Sequence, residues 1–157
     1  MQKSLMLFAI VLSLLYTTVS AQDESEYERL HRESDIKRQA MVAEDLPLLD
    51  SEAEAFWDLY LEYRVADREI DDQRVELLRY FEEANEVFTD DEGNRIVTEA
   101  LLIEKKRQEL KQKFFEKFSL ILPGSKLIRY YQIESKLDAV KRYFWTSGVQ
   151  LAPLLES

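Results

Sequence analysis

The chain has 157 residues, with 31 acidic against 21 basic side chains, one histidine and a net charge of −10 at neutral pH. The absence of cysteine excludes a disulfide framework and Cys–His nucleophilic catalysis, while three glycines and three prolines argue against a glycine-turned β-sandwich or a Gly-rich nucleotide loop. At 46% hydrophobic and 33% charged residues, the composition suits amphipathic helices that bury one stripe and solvate the rest, not intrinsic disorder.

Met1-Gln2-Lys3 forms a short basic start, Leu5 to Tyr16 is an apolar run broken by Ser13, and Val19-Ser20-Ala21 places small residues where a signal peptidase reads them. Residues 1–21 therefore read as a secretory signal peptide cleaved after Ala21, since the run is short of the roughly 20 residues a membrane-spanning helix needs. Without Lys3 the mature chain carries a net charge of −11. Export without cysteine fits the bacterial periplasm at least as well as a eukaryotic secretory route, and no membrane insertion is expected after cleavage.

Residues 22–48 are expected to be a charged N-terminal helical arm and linker, and 49–157 a helical hairpin or bundle domain. Pro47 interrupts the arm, because it disfavours the α conformation at Leu46 and donates no backbone hydrogen bond. A helix is predicted to restart at Asp50 or Ser51, where Ser51-Glu52-Ala53-Glu54 has capping-box form. From Ser51 to Val87 no Gly or Pro occurs, and Phe56, Leu59, Tyr63, Ala66, Ile70, Gln73, Leu77, Tyr80, Ala84 and Val87 alternate at spacings of three and four. Such a helix would extend about 55 Å at 1.5 Å per residue, which predicts one arm of an elongated hairpin.

Thr89-Asp90-Asp91-Glu92 is a second capping-box pattern and marks the reversal. Ile96, Ala100, Ile103, Arg107, Leu110, Phe114, Lys117 and Ile121 repeat the spacing, widened by Phe118. Antiparallel pairing then sets Leu77 near Ala100, Tyr63 near Phe114 and Phe56 near Ile121. Leu122-Pro123-Gly124-Ser125 breaks this helix. A third long helix begins near Ser125 with the stripe Tyr130, Ile133, Leu137, Val140 and Phe144, and Gly148 and Pro153 end regular structure. Leu151, Leu154 and Leu155 form a tail expected to pack back on the bundle. The fold class read from this pattern is all-α: an elongated antiparallel helical hairpin with a third long helix and an N-terminal helical arm.

Residues 44–104 hold 20 acidic and 5 basic side chains, whereas residues 105–142 hold 11 basic and 4 acidic. An acidic first long helix lying beside the basic half of its partner and beside a basic third helix accounts for the split, with exposed pairs selecting register more than supplying stability. The alternative is a basic surface facing a polyanion or an acidic client.

Catalytic constellations are missing. His31 is the only histidine, so the Glu28-x-x-His31 spacing of di-iron bundles has no second copy. Glu28, His31 and Asp35 remain weak candidates for a surface metal contact; no cofactor is expected. Asp90-Asp91-Glu92-Gly93-Asn94 lacks EF-hand ligand spacing, and an acidic exported chain disfavours nucleic acid. Paired carboxylates are too numerous to nominate a general acid or base, so the chain reads as non-enzymatic. Aromatics off the stripes are more informative: Trp57 and Tyr60, then Phe115, then Tyr131, Tyr143 and Trp145. They either widen the buried faces of a three-helix arrangement or form an exposed surface, flanked by Lys111, Lys126 and Lys141, on which a partner lies.

Leu49-Asp50-Ser51-Glu52-Ala53 and Phe88-Thr89-Asp90-Asp91-Glu92, each ahead of a long amphipathic helix, resemble the Leu-Thr-x-x-Gln motifs of the Spy/CpxP-like group of small exported helical proteins. Neither segment keeps the glutamine and only the second keeps the threonine. The Phe56-Trp57-x-x-Tyr60 cluster, and Leu122-Pro123 followed by Lys126, Arg129 and Tyr131-Gln132-Ile133-Glu134, look like a divergent proteobacterial branch within or near that group. The likeness covers residues 46 to 153. It implies an elongated helical hairpin with extra helices, often a cradle-like dimer, that acts without ATP as a periplasmic chaperone or as the sensor subunit of an envelope-stress or metal response. The expected partners are protein clients or an envelope sensor protein, with a second copy of the chain as a further candidate. Lys111, Phe115, Lys126, Tyr131, Tyr143 and Trp145 are the candidate contact residues; a metal-responsive regulator and a structural coiled-coil spacer are the alternative readings.

Overall fold

A computed structural model describes residues 26–83, 87–147 and 149–152. The signal peptide, Ala84, Gly148, Pro153, Leu154 and Leu155 lie outside the described residues. Those residues form an all-α fold of four helices with no strand: α1 (Glu26–Asp45), α2 (Asp50–Glu83), α3 (Asp90–Phe118) and α4 (Gly124–Ser147). No described helix is long and apolar enough to cross a membrane. The chain divides into two compact units, Met1–Gln39 and Ala40–Ser157. In the first, the described backbone from Glu26 onward is helical; α2, α3 and α4 belong to the second.

The helix boundaries follow local chemistry. α1 stops at Asp45, ahead of the Leu46-Pro47 step that disfavours continued helix; Val42 in its last turn and Leu46 just after it join the core. α2 starts at Asp50, so the expected Ser51–Glu54 capping box is displaced by two residues. Leu49 stands at the cap position and its N–H donates to the Glu52 carboxylate at 2.8 Å, which leaves half a box because leucine offers no side-chain acceptor. At α3 the box is complete: Glu92 N–H donates to Thr89 Oγ1 at 3.3 Å and Thr89 N–H to Glu92 Oε2 at 2.9 Å. Asp90, Asp91 and Glu92 stand in the first turn, where the helix dipole favours negative charge. Pro123 accepts hydrogen bonds from Lys126 and Leu127 at the start of α4, a position where its missing N–H costs nothing.

Contacts along the helices fix their directions. As the position on α2 falls through Tyr80, Gln73, Asp71, Tyr63 and Phe56, its contact on α3 rises through Arg95, Lys106, Arg107, Phe114 and Phe118. These two helices are therefore antiparallel. Tyr63 and Phe114 meet with ring centroids 5.3 Å apart, and Leu77 and Ala100 line the same apolar cavity, as the register predicts. Phe56 meets Phe118 at 5.3 Å. α4 runs alongside α2 in the same direction, with Lys126 on Glu52, Tyr130 on Phe56 and Lys141 on Asp67 and Asp71.

One end of this three-helix arrangement is an aromatic core. Tyr130 is fully buried and touches Phe56, Tyr60, Phe115 and Phe118 at centroid distances of 4.7 to 6.4 Å, the offset and edge-on geometry that aromatic quadrupoles favour. Leu59, Tyr63, Phe114, Leu122 and Ile133 complete it. The stripes do not hold along their whole length. Tyr80 and Lys117 are exposed, and Val140 and Phe144, expected in the core, are 54% and 69% exposed. Leu151 is 96% exposed, which corrects the expectation that it packs back on the bundle.

Candidate functional site

Where α2, α3 and α4 run side by side beyond the aromatic end, the helices are joined by charge. Asp67 and Asp71, four positions apart and so on one face of α2, are 1% and 2% exposed. Arg107 Nη1 reaches Asp67 at 3.0 Å and Asp71 at 2.8 Å, and Lys141 Nζ reaches them at 3.1 and 2.9 Å. Arg64 pairs with Asp67 within α2 at 2.6 Å. Burial opposes ionisation of Asp67, and the attraction of Lys141, Arg64 and Arg107 overcomes it, holding the carboxyl well below the usual carboxylate range.

The network extends at both sides. Lys111 on α3 pairs with Asp138 on α4, and Arg74 on α2 with Glu104 on α3. Burial, followed by the nearby Arg107, lowers the Arg74 guanidinium from its ordinary value. Trp145 presents its ring to three cations: Arg74 and Arg107 at 5.5 Å and Lys141 at 5.0 Å, close enough for cation–π attraction. Glu134, with no exposed surface, is a further carboxyl buried on α4.

Over this network, between α3 and α4, lies an open groove of about 320 Å³. Arg107, Lys111, Lys141 and Arg142 line it together with Glu104 and Asp138. Arg107 Nη2 is buried and has no hydrogen-bond partner among the described residues.

The residues expected to contact a partner divide into two sets. Lys111 and Lys126 are bound internally, to Asp138 and Glu52, with only 20% of each side chain exposed. Trp145 is half-buried among cations. Phe115 is half-buried and stacked on Tyr130 at 5.2 Å. Tyr131 and Tyr143, in contrast, are 56% and 68% exposed, and Phe144 and Ile128 join them as exposed apolar side chains on α4. Of the weak metal candidates, the side chains of Glu28 and His31 lie outside the described residues, and Asp35 is half-buried. Among the described residues no group of three His, Cys, Asp or Glu side chains is placed to hold a metal ion.

Sequence reasoning missed Asp67, Asp71, Asp138 and Arg64 as buried residues. A signal was present: Asp67 and Asp71, Arg107 and Lys111, and Asp138 and Lys141 are pairs at helical spacing, each residue in a stripe or one position from it. Their opposite signs on neighbouring helices mark a shared polar layer. No family model, curated protein or solved structure matches the chain.

Proposed function

We propose that the chain is a non-enzymatic binding protein of the periplasm that engages protein clients, or an envelope sensor protein, through the exposed side chains of α4, in the manner implied by its resemblance to the Spy/CpxP-like group. The observation that carries this reading is the set of exposed apolar and aromatic side chains along α4: Ile128, Tyr131, Val140, Tyr143 and Phe144. Exposed apolar side chains clustered on one helix, in a protein with a third of its residues charged, favour an interaction surface over a solvated one. The basic component is smaller than the sequence implies, because Lys111, Lys126 and Lys141 are spent on intramolecular pairs. Recognition therefore rests on these exposed side chains, together with the exposed Arg142.

Suppression of aggregation of a denatured client, without ATP and at near-stoichiometric ratio, tests the client-binding form. The variant Tyr131→Ser, Tyr143→Ser, Phe144→Ser is expected to lose suppression while keeping its unfolding free energy. Absence of suppression by the unaltered chain at both low and physiological salt overturns that form, and full activity of the triple variant overturns the assignment of these side chains.

A further inference from the structure

We propose that the apolar groove between α2 and α3, beyond the end of α4, is a docking site for an amphipathic helix of a protein partner that carries basic side chains beside its apolar anchors. The groove exists because α4 is shorter than the hairpin it covers. Lys141 and Trp145 set the last turns of α4 beside Asp71 and Arg74, and α4 ends at Ser147, whereas α2 runs on to Glu83. From Arg74 to Glu83 is about 13 Å of helix, paired with the first turns of α3 and lacking, among the described residues, the third helix that closes the rest of the arrangement. Leu77, Leu78, Phe81, Ile96, Ala100 and Ile103 line the groove left there, which has a volume of about 180 Å³. That is below the roughly 300 to 1,000 Å³ of a small-molecule pocket, and it suits one or two side chains delivered by a partner helix at positions three or four apart. Phe81 is stacked on Phe88 at 5.4 Å, so part of the wall is formed before anything binds. Val97 and Leu101, each next to a lining residue on α3, are exposed and widen the apolar surface.

Charge decides which occupant fits. Residues 75–104 hold nine acidic and two basic side chains, a net of −7, and one of the two cations, Arg95, is held on the Tyr80 hydroxyl at 2.8 Å. Asp90, Val97 and Glu104 recur at seven-residue spacing and so share one face of α3, with a carboxylate on either side of exposed Val97 along the helix. Arg74, the cation that lines the groove, is paired with Glu104. Glu76, Glu83, Asp90, Asp91 and Glu99 are exposed, and among the described residues none of them is in an ion pair. The resulting field, which reaches about 8 Å at physiological salt, draws in a cationic partner and repels an anionic one. The chain's own tail after Gln150 carries Glu156 and no basic residue, and a second copy presenting the same groove would set −7 against −7. A basic amphipathic helix matches both the apolar floor and the acidic surroundings. The groove takes no residue from α4, so its assignment is independent of client binding there.

Fluorescence anisotropy of a labelled peptide of about 18 residues, long enough to form a helix, with leucines on one face and lysines on the other, tests the site against the same peptide with glutamate for lysine. The lysine peptide is expected to bind the full chain saturably and one-to-one, and the glutamate peptide to bind about tenfold more weakly or worse, with the difference shrinking as salt rises. Ala100→Phe fills the groove from a half-buried position and should weaken the lysine peptide by about tenfold or more. If Ala100→Phe loses its helical circular dichroism, Val97→Lys, at an exposed position, decides and should weaken binding by about threefold or more. Leu61→Ser, an exposed apolar position on α2 away from the groove, should leave affinity unaltered. Absence of saturable binding by the lysine peptide overturns the site, as do equal affinities for the two peptides and equal weakening by Ala100→Phe and Leu61→Ser. Two further results give the groove to another occupant and overturn it as well. One is binding about tenfold tighter by Leu154→Ser, Leu155→Ser, which would make the chain's own tail the occupant. The other is a dimer in sedimentation equilibrium that Ala100→Phe dissociates, which would make it a second copy.

Discussion

The Asp67 carboxylate on α2 and the Lys141 ammonium on α4, 74 positions apart in the chain, stand 3.1 Å from one another. Asp67 also takes Arg64 at 2.6 Å and Arg107 at 3.0 Å, so one buried carboxylate links all three long helices. Asp67→Asn removes the charge that three cations share, and should destabilise the chain by about 3 kcal/mol or more. Lys141→Met should cost distinctly less, because Asp67 keeps Arg64 and Arg107. Urea unfolding followed by circular dichroism orders the two variants, and the reverse order would contradict the network.

The same carboxylate governs acid stability. Its folded-state pKa is depressed, so its contribution is fully present above the ordinary carboxylate pKa of about 4 and is lost as pH falls below that toward the folded value. Thermal stability should therefore hold from neutral pH to about 5 and fall below about 4. In Asp67→Asn the acid-side slope should be shallower. Glu92, lowered by its hydrogen bonds from Thr89, acts in the same sense in both proteins and leaves the comparison intact.

Phe114, 5% exposed against Tyr63, is the sharpest test of the helix register. Phe114→Ala is expected to cost about 3 to 5 kcal/mol through the lost transfer energy and the cavity left behind. A loss below about 1 kcal/mol would place the ring at the surface.

Phe115 and Tyr131 touch at 5.4 Å yet should respond differently to truncation. Phe115 also stacks on buried Tyr130, so Phe115→Ala should cost about 2 kcal/mol, whereas Tyr131→Ala should cost about 0.5 kcal/mol or less. Equal costs would show that Tyr131 belongs to the core and not to the exposed set.

Thr89→Ala removes the acceptor for Glu92 N–H and half of the α3 capping box. A loss of about 1 kcal/mol is expected. Ser51→Ala, on the other hand, should be nearly neutral, because Glu52 closes onto Leu49 without it.

The helices and their ends were legible because proline, capping residues and three/four spacing are local signals. Pro47, Pro123 and the Thr89–Glu92 box each act within a few residues of the boundary they set. The stripe on α2 was legible as far as it faced α3, but α2 serves two neighbours, and a single stripe describes only one of them. Asp67 and Asp71 face α3 and α4 at once, one position beyond the stripe residues Ala66 and Ile70, so a stripe drawn for one neighbour leaves them out. The α4 stripe failed for a geometric reason. A straight helix rotates by about 20° per heptad away from a seven-residue repeat, so the seam that begins at Tyr130 is carried onward by Lys141 and Trp145, not by Val140 and Phe144. Of the candidate contact residues, Tyr131 and Tyr143 could be placed outside the stripe by counting. The capture of Lys111 and Lys126 could not, because it depends on which carboxylates the third helix brings opposite them.

The ion pairs that tie α4 to α2 also set a length. Sliding α4 by one turn, about 5.4 Å, would withdraw Lys141 from Asp67 and Asp71 and strand two carboxylates in a desolvated layer. The helix is therefore pinned at one height, and its exposed tyrosines become marks on a ruler. Tyr131 and Tyr143 are twelve residues apart, about 18 Å along the axis, and a partner that grips both has to match that span.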